Sequence, residues 1–318
     1  MKNIVILDEA TLLMDDLDWV NLSQLGNVTR YVQTSVSEVV ERAKNAHILI
    51  VNKVVIDAAI IAQLPNLQCI CVSATGVNNV DLAAAKARNI RVCNVAGYAA
   101  DGAAQHVFAL LLTLAAGVRK HHESVVAGQW SAAANFCYTV QSMSLLKGKT
   151  LGILGFGQIG QQVAKLALAF GMTVIATHRH PERDALEGVT FVEWETLVKE
   201  SDVLSLHAPL NDSTAGIINK NSLAQMKKTA WLINTARGGL VVEADLKTAL
   251  ENEEIVAAAI DVISEEPPRN GNSLIGVKNC LVTPHIAWAY RETRELLRDE
   301  VVENVAAFLS GEERNMVI

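Results

Sequence analysis

Two α/β domains, each a parallel sheet covered by helices, are the fold this sequence predicts, and three observations carry the expectation. The chain has 318 residues, 50% of them hydrophobic, which is more than one core usually accommodates because single cores stop growing near ~250 residues. Short Val/Ile/Leu runs alternate with amphipathic segments over most of the length, the pattern of a parallel sheet with crossover helices. Those runs are almost uninterrupted by polar residues, as strands covered on both faces require.

In chain order, strands are predicted over 3–7, 28–33, 47–52, 69–72 and 90–94, with amphipathic segments such as 37–44 and 80–88 between them. A long helix is predicted from Asp101 to His121, then an irregular stretch, 128–146, holding Trp130, Phe136 and Tyr138. Alternation resumes with strands over 150–154, 173–177, 202–207, 231–234, 256–261 and 280–283. A last helix spans 290–309, and nothing in its composition assigns it to either domain.

Composition excludes several classes of function. Lys and Arg number 27 against 34 Asp and Glu, a net charge of −7, and no long basic block stands on a predicted face; a nucleic-acid footprint is therefore not expected. The most apolar segment, 107–118, is about half of what a membrane-spanning helix needs. Met1-Lys2-Asn3-Ile4 enters a strand with no signal-peptide pattern, so no membrane association and a cytoplasmic location are expected. Five cysteines, Cys69, Cys71, Cys93, Cys137 and Cys280, are odd in number and scattered, which fits reduced core thiols better than a disulfide frame. Cys69 and Cys71 share one strand face, but no second pair completes a metal site, and none is predicted.

The most informative stretch follows the strand at 151–154. Gly155, Gly157 and Gly160 break the apolar run, with Phe156, Gln158 and Ile159 between them, before a helix resumes. The first glycine permits a tight turn, the second leaves no side chain to hold phosphates away, and the third lets the helix pack on its strand. The helix N-terminus then offers free N–H groups to an anion. This is the expected cradle for a dinucleotide pyrophosphate.

Ligands of such sheets bind beyond the carboxyl ends of the strands, and four ends here carry chemistry. The strand at 202–206 is followed by His207-Ala208-Pro209, with Thr214 close enough in sequence to bond a phosphate or ribose; a satisfied buried imidazole is the alternative reading of His207. The strand at 231–234 is followed by Thr235-Ala236-Arg237-Gly238-Gly239, which presents a guanidinium suited to bidentate capture of a carboxylate. Asp261 and Glu265-Glu266-Pro267 follow the next strand, and Thr283-Pro284-His285-Ile286-Ala287-Trp288 the last. Imidazole, carboxylate and guanidinium at neighbouring strand ends are the parts of an acid–base site.

With these residues assembled, the chain resembles the D-isomer-specific 2-hydroxyacid dehydrogenases over nearly its whole length. The resemblance rests on the runs 155–160, 234–239, 261–267 and 283–286, supported by Ala74-Thr-Gly-Val-Asn-Asn-Val-Asp81 and Asn94-Val-Ala-Gly-Tyr98. It implies two Rossmann-like or flavodoxin-like domains with the active site in the cleft between them: a substrate domain of 1–98 plus 288–318, and a dinucleotide-binding domain of 99–287. It implies that His285 is the general acid in reduction and the base in oxidation, and that Glu266 pairs with it and favours its protonated form. Arg237 would hold the α-carboxylate and polarise the keto oxygen, with the N–H groups of Ala74, Thr75 and Gly76 completing the anion cradle. Asp261 would accept from the nicotinamide amide, and the cofactor surface would add His207, Ala208, Pro209, Thr214, Thr235, Ala236 and Ala287 to the glycine turn. An isologous homodimer through the nucleotide domain is implied too, the aromatic stretch 136–138 reaching the neighbour's cleft.

One departure from the pattern bears on the cofactor. NAD enzymes of this architecture place an acid at the end of the second strand for the ribose hydroxyls, whereas this chain has Thr177-His178-Arg179-His180 with Arg183 near and no acid before Glu182. NADP(H) is therefore expected over NAD(H). The runs Val51-Asn52-Lys53-Val54, Asn135-Phe-Cys-Tyr138 and His285-Ile-Ala-Trp288 resemble the subgroup that reduces hydroxypyruvate and glyoxylate to D-glycerate and glycolate. In that reading Asn52 and Lys53 line the substrate pocket and Trp288 caps it; a plain surface charge is the alternative reading of Lys53, and core packing that of Trp288. D-lactate or another D-2-hydroxyacid is the enzymatic alternative; 3-phosphoglycerate is disfavoured, since no regulatory domain follows the last helix and no basic cluster is dedicated to a substrate phosphate. A dinucleotide-sensing corepressor is the non-enzymatic alternative, and retention of Arg237, Glu266 and His285 together argues against it.

Overall fold

The computed structural model describes residues 1–12, 16–19 and 21–318. The chain divides into two compact units, one of Met1–Tyr98 with Ala289–Ile318 and one of Ala99–Trp288. The two-domain α/β expectation holds, with every strand pairing parallel.

The first unit runs β1 (Lys2–Ile6), β2 (Gly26–Arg30), α1 (Val39–Ala43), β3 (Ile48–Val51), α2 (Ala58–Ala62), β4 (Cys69–Val72), α3 (Leu82–Ala87) and β5 (Arg91–Cys93). Its sheet has the order β2-β1-β3-β4-β5. The short helices start on side-chain caps, Asp57 accepting from the Ile60 amide at 2.8 Å and Asp81 from the Ala84 amide at 2.9 Å. Alternation assigns the two faces. Leu49, Val51, Ile70, Val72 and Val92 join the cluster under α1 and α2, while Ile4, Ile6, Ile48, Ile50, Cys69, Cys71 and Cys93 point the other way and are also buried. The C-terminal helix, Arg291–Ser310, belongs to this unit and lies against β4. It is pinned beyond β5 by Asn304, whose side chain donates to the Asn94 carbonyl at 2.9 Å.

The second unit opens with α4 (Ala100–Ala116) and α5 (Val118–Val126). One helix was expected here. Gly117 breaks it with φ +56, and the Gln141 side chain occupies the place where a Cβ would stand, so the chain bends by 54°. Among the described residues no single helix is long and apolar enough to cross a membrane. The order then runs β6 (Thr150–Leu154), α6 (Gln158–Ala169), β7 (Thr173–Thr177), β8 (Val189–Phe191), α7 (Trp194–Glu200), β9 (Val203–Leu206), α8 (Lys220–Leu223), β10 (Trp231–Asn234), α9 (Glu243–Glu251), β11 (Ala257–Ile260) and β12 (Cys280–Val282).

The sheet order of this unit is β12-β11-β10-β9-β6-β7-β8. From β6 the chain builds outward through β7 and β8, then returns to pair β9 against the other side of β6. Residues such as Leu151, Ile153, Val174 and Ile233 face the cluster under α4 and α6, and Leu154, Leu204, Leu232 and Ile260 the cluster under α7 and α9. Strand order therefore reverses at the β6/β9 boundary, where sheets of this kind bind ligands. Only β8 was unexpected, three residues at the sheet edge whose Val-Thr-Phe sequence is too short to register as a strand.

Candidate active site

The three glycines at the β6 end play different parts. Gly155 has φ +90, and a Cβ on it would lie 2.7 Å from the Ala208 amide nitrogen, so the ends of β6 and β9 touch through backbone alone. A Cβ on Gly160 would lie 2.4 Å from the Gly155 carbonyl oxygen, which is how α6 starts so close to its strand. At Gly157 a Cβ would meet nothing within 4 Å. No neighbour inside the unit demands that glycine, and the space in front of it is open. Phe156 is fully buried, edge-on to Phe191 with ring centroids 5.2 Å apart, and anchors the turn from below, while Gln158 is exposed in the first turn of α6 beside the half-buried Ile159.

Beyond β7, Arg179 is exposed and, among the described residues, reaches only the Ser213 hydroxyl, at 3.4 Å. His178 accepts from the His180 amide through Nδ1. The expectation that no acid precedes Glu182 holds in sequence, but folding brings Asp184 back to within 3.4 Å of His178 Nε2. Arg183 donates to Asp184 at 2.5 Å and holds its carboxyl below the usual range. The loop therefore carries an already paired carboxylate beside an Arg179 that no carboxylate neutralises among the described residues.

At the β9 end, the His207 ring sits with Nε2 2.8 Å from the Ser205 hydroxyl, and burial pushes its pKa down to about 4. The imidazole is therefore neutral near pH 7, in keeping with the satisfied buried reading. Because the unfolded value is ~6.5, the unfolded chain binds this proton first as pH falls. Stability from the neutral ring is complete above pH ~6.5 and is lost on descent toward the folded value of about 4, at up to ~1.4 kcal/mol per unit. His207→Gln should make the difference in urea-unfolding free energy between pH 7 and pH 5 smaller than in the wild type by about 2 kcal/mol; equal differences in the two proteins would refute the assignment.

Thr214 differs from expectation. Its single hydroxyl proton goes to the Pro209 carbonyl at 2.6 Å, and its oxygen accepts from the Asn211 amide at 2.9 Å. It closes its own loop, presenting Ala208 and Pro209, and has no proton left for a phosphate.

The β10 end is shaped by Asn234, a residue to which sequence reasoning gave no role. Fully buried, it accepts from the Ala236 amide at 3.0 Å and donates to the Arg237 carbonyl at 2.9 Å, a side chain standing in for backbone turn bonds. The Thr235 hydroxyl within this turn is buried with no hydrogen-bond partner among the described residues, a group that a bound ligand would satisfy. Arg237 is exposed; one guanidinium nitrogen donates to the Ala236 carbonyl at 2.6 Å, and among the described residues no carboxylate pairs with it.

At the β11 and β12 ends, His285 adopts φ +54, which non-glycine residues rarely do. It is held there from three sides. Its amide donates to the Asp261 carbonyl at 2.9 Å, its carbonyl accepts from the Trp288 indole at 2.9 Å, and its Nδ1 lies 2.6 Å from Glu266 Oε2. The other oxygen of Glu266 accepts from the Ile263 amide at 3.0 Å, which fixes the carboxylate before it meets the ring. A cavity of ≈ 210 Å³ is lined by Arg237, Glu266 and His285 together with Gly238, Gly239 and Leu210. Three groups far apart in sequence thus share one pocket.

Asp261 also differs from expectation. Its side chain has no exposed surface and accepts from Thr283 Oγ1 at 2.5 Å and from the amides of Ile286 and Ala287 at 2.9 Å each. Burial works to raise its pKa, but these bonds and the His106 imidazole, 3.6 Å away on α4, prevail and hold it below the usual range. A carboxylate so enclosed organises the His285 loop; it does not stand open to a nicotinamide amide. His106 was missed, since one polar residue inside the apolar run of α4 looks like any buried histidine until β11 and β12 are placed beside it.

In the first unit, the Asn52 side chain is already engaged, donating to Thr11 at 3.0 Å to the hydroxyl and 3.2 Å to the carbonyl. Lys53 is exposed, its amide donating to Asp8 at 2.6 Å. Asp8, also unanticipated, takes the amides of Asn52, Lys53 and Val54 and shapes the turn after β3. After β4, the amides of Ala74, Thr75 and Gly76 donate to no group among the described residues. Their loop is held by the Val95 amide on the Ala74 carbonyl and the Asn94 side chain on the Thr75 carbonyl, leaving three consecutive donors open to an anion.

Residues 108–287 match the family described as D-isomer specific 2-hydroxyacid dehydrogenase, NAD binding domain. The chain is 39% identical over 319 residues to a hydroxypyruvate reductase of Blautia hydrogenotrophica, covering 99% of both chains. It is 43% identical over 282 residues to a glycerate dehydrogenase of Methylorubrum extorquens, covering 88% of each. Among solved structures it is similar to an acyclic imino acid reductase in complex with NADPH and D-Arg, with TM-score 0.88, 30% identity, and 99% of this chain and 100% of that one covered.

Proposed function

Because the chain belongs to the D-isomer-specific 2-hydroxyacid dehydrogenase family, oxidoreductases acting on CH–OH donors with a nicotinamide dinucleotide, we propose that it reduces a small 2-keto acid, hydroxypyruvate or glyoxylate, to D-glycerate or glycolate. The observation that carries this reading is the meeting of Arg237, Glu266 and His285 on one cavity. The dinucleotide fits the residues present: the open cradle at Gly157 and the α6 N-terminus receive the pyrophosphate, and the orphaned Thr235 hydroxyl gains a partner. When bound, it supplies the hydride.

The chain's own groups supply the rest. Glu266 binds Nδ1 of His285, so Nε2 faces the cavity as the proton donor to the ketone oxygen, and in the oxidative direction takes the proton back. Arg237 receives the substrate carboxylate. Trp288 acts through its bond to the His285 carbonyl. Consumption of the reduced dinucleotide with hydroxypyruvate, glyoxylate and pyruvate in parallel tests the reading; tight cofactor binding with no turnover of any of the three would favour a dinucleotide sensor.

For the cofactor, the loop after β7 supports NADP(H) over NAD(H), since among the described residues Arg179 has no carboxylate partner and the enclosed carboxylate there, Asp184, is neutralised by Arg183. NADPH should exceed NADH in kcat/KM by about tenfold, and Arg179→Ala should lower the NADPH value by about tenfold, ~1.4 kcal/mol, with NADH little changed. A tenfold preference for NADH would defeat the assignment. A homodimer is supported by the exposed Trp130, Phe136 and Leu145 in the stretch after α5.

A further inference from the structure

Three thiols meet on the buried face of the first unit's sheet. Cys69 and Cys71 lie two residues apart on β4 and so leave the same face, and the register of β4 and β5 sets Cys93 beside Cys71. The sulfurs of Cys71 and Cys93 are 3.2 Å apart and those of Cys69 and Cys71 3.8 Å, all three lying within 4.8 Å of one another. Exposures are 0%, 0% and 1%. The neighbouring positions on this face are Ile4, Ile6, Ile48 and Ile50, so packing alone is met here by branched aliphatics. Sulfur at three adjoining positions is the exception.

Thiolates ~2.3 Å from a common centre stand roughly 3.8 Å apart at tetrahedral angles and roughly 3.3 Å apart at pyramidal angles near 90°; the two pairs at 3.2 and 3.8 Å lie close to these spacings, and the third pair is within 4.8 Å. Among the described residues no histidine, acid or fourth cysteine joins the group, so a closed tetrahedral zinc site lacks its fourth ligand. Charge narrows the choice further. Three thiolates leave a net charge of −1 around a divalent ion and −2 around a monovalent one, and an uncompensated buried charge costs several kcal/mol. The nearest cation on this strand, Arg91, is engaged over the Phe308 ring and on the Glu312 carbonyl. A trivalent centre leaves no charge at all.

We propose that Cys69, Cys71 and Cys93 form a three-coordinate site for a trivalent thiophilic metalloid of the arsenic(III) class. Arsenous acid, neutral and small enough to enter on a local opening, exchanges three As–O bonds for three As–S bonds. Each thiol proton leaves with a hydroxide as water, and no atom changes oxidation state. The site is separate in sequence and chemistry from the Arg237–Glu266–His285 pocket. It sits at the root of the loop that bears the open amides of Ala74, Thr75 and Gly76, because β4 and β5 run on into the Ala74–Val95 bond.

The test uses the full chain, phosphine-reduced, with arsenite as the probe and neither substrate nor dinucleotide present, so that its outcome is independent of the reductase assignment. Native mass spectrometry should show one arsenic per folded chain with loss of three protons, and X-ray absorption should show three sulfur neighbours. Cys137→Ser and Cys280→Ser should bind as the wild type does, while Cys71→Ala and Cys93→Val, checked as folded by circular dichroism, should bind at least tenfold more weakly. No arsenic on the folded wild type, a centre with one or two sulfur neighbours, or undiminished binding by folded Cys71→Ala would overturn the proposal. The wild-type absorption measurement decides it even if a core variant does not fold.

Discussion

His285→Ala is expected to lower kcat by ~10²–10⁴ while leaving dinucleotide affinity within a few-fold. The size follows from geometry. With Nδ1 held 2.6 Å from Glu266, Nε2 is the ring nitrogen left free for proton transfer beside a cavity that Arg237 also lines, so under the proposed function the substitution removes the proton donor for the ketone oxygen. Water in the vacated space is a poorer and unpositioned acid, which sets the residual rate. Since Arg237 keeps its own tether to the Ala236 carbonyl, KM for the keto acid should change far less than kcat, the split expected when a group acts in the transition state more than in binding. The loop itself should survive, because Asp261 still holds the Ile286 and Ala287 amides. Steady-state kinetics with hydroxypyruvate checks this; a variant with near-normal kcat would mean another group delivers the proton.

Gly157→Val is expected to weaken dinucleotide binding by at least ten- to a hundredfold, ~1.4–3 kcal/mol, with the thermal midpoint almost unmoved. Gly157 has an extended backbone that any residue adopts, and a side chain there enters open space. The fold therefore tolerates valine, whereas a pyrophosphate in the proposed cradle would not. Gly155→Ala gives the contrasting result, since φ +90 and an amide nitrogen at 2.7 Å strain the native state itself. Fluorescence titration with NADPH, beside a melting curve, separates the two: if Gly157→Val bound the dinucleotide like the wild type, the phosphates would lie elsewhere.

How much was legible beforehand depended on whether the signal was local. Strands such as 69–72, 150–154, 173–177 and 231–234 coincide with the observed bounds, because a strand covered on both faces must be apolar throughout and says so in its own residues. The break at Gly117 was not legible, since its cause is the side chain of Gln141, which only the folded chain brings to that place. The pocket was readable as a set, Arg237, Glu266 and His285 each following a strand whose end had to reach the same edge. The supporting carboxylates and amides were not. Asn52 and Thr214 looked available for ligands because a sequence shows a polar group without showing what already holds it, here Thr11 and Pro209. Asp184 was overlooked for the opposite reason: it lies past the window in which an acid is sought, and a turn returns it to His178.

The enclosure of Asp261 has a consequence for how the pocket moves. By exposure, the segment Pro284–Ala287 is part surface loop, yet two of its amides terminate on a carboxylate that water does not reach and that faces His106 in the middle of α4. Releasing that segment strands a charge inside the hydrophobic interior of the unit, so the His285 imidazole cannot wander without unfolding something larger. The imidazole inherits the rigidity of the core although it stands at the rim, and any motion needed for turnover must be found in other parts of the chain.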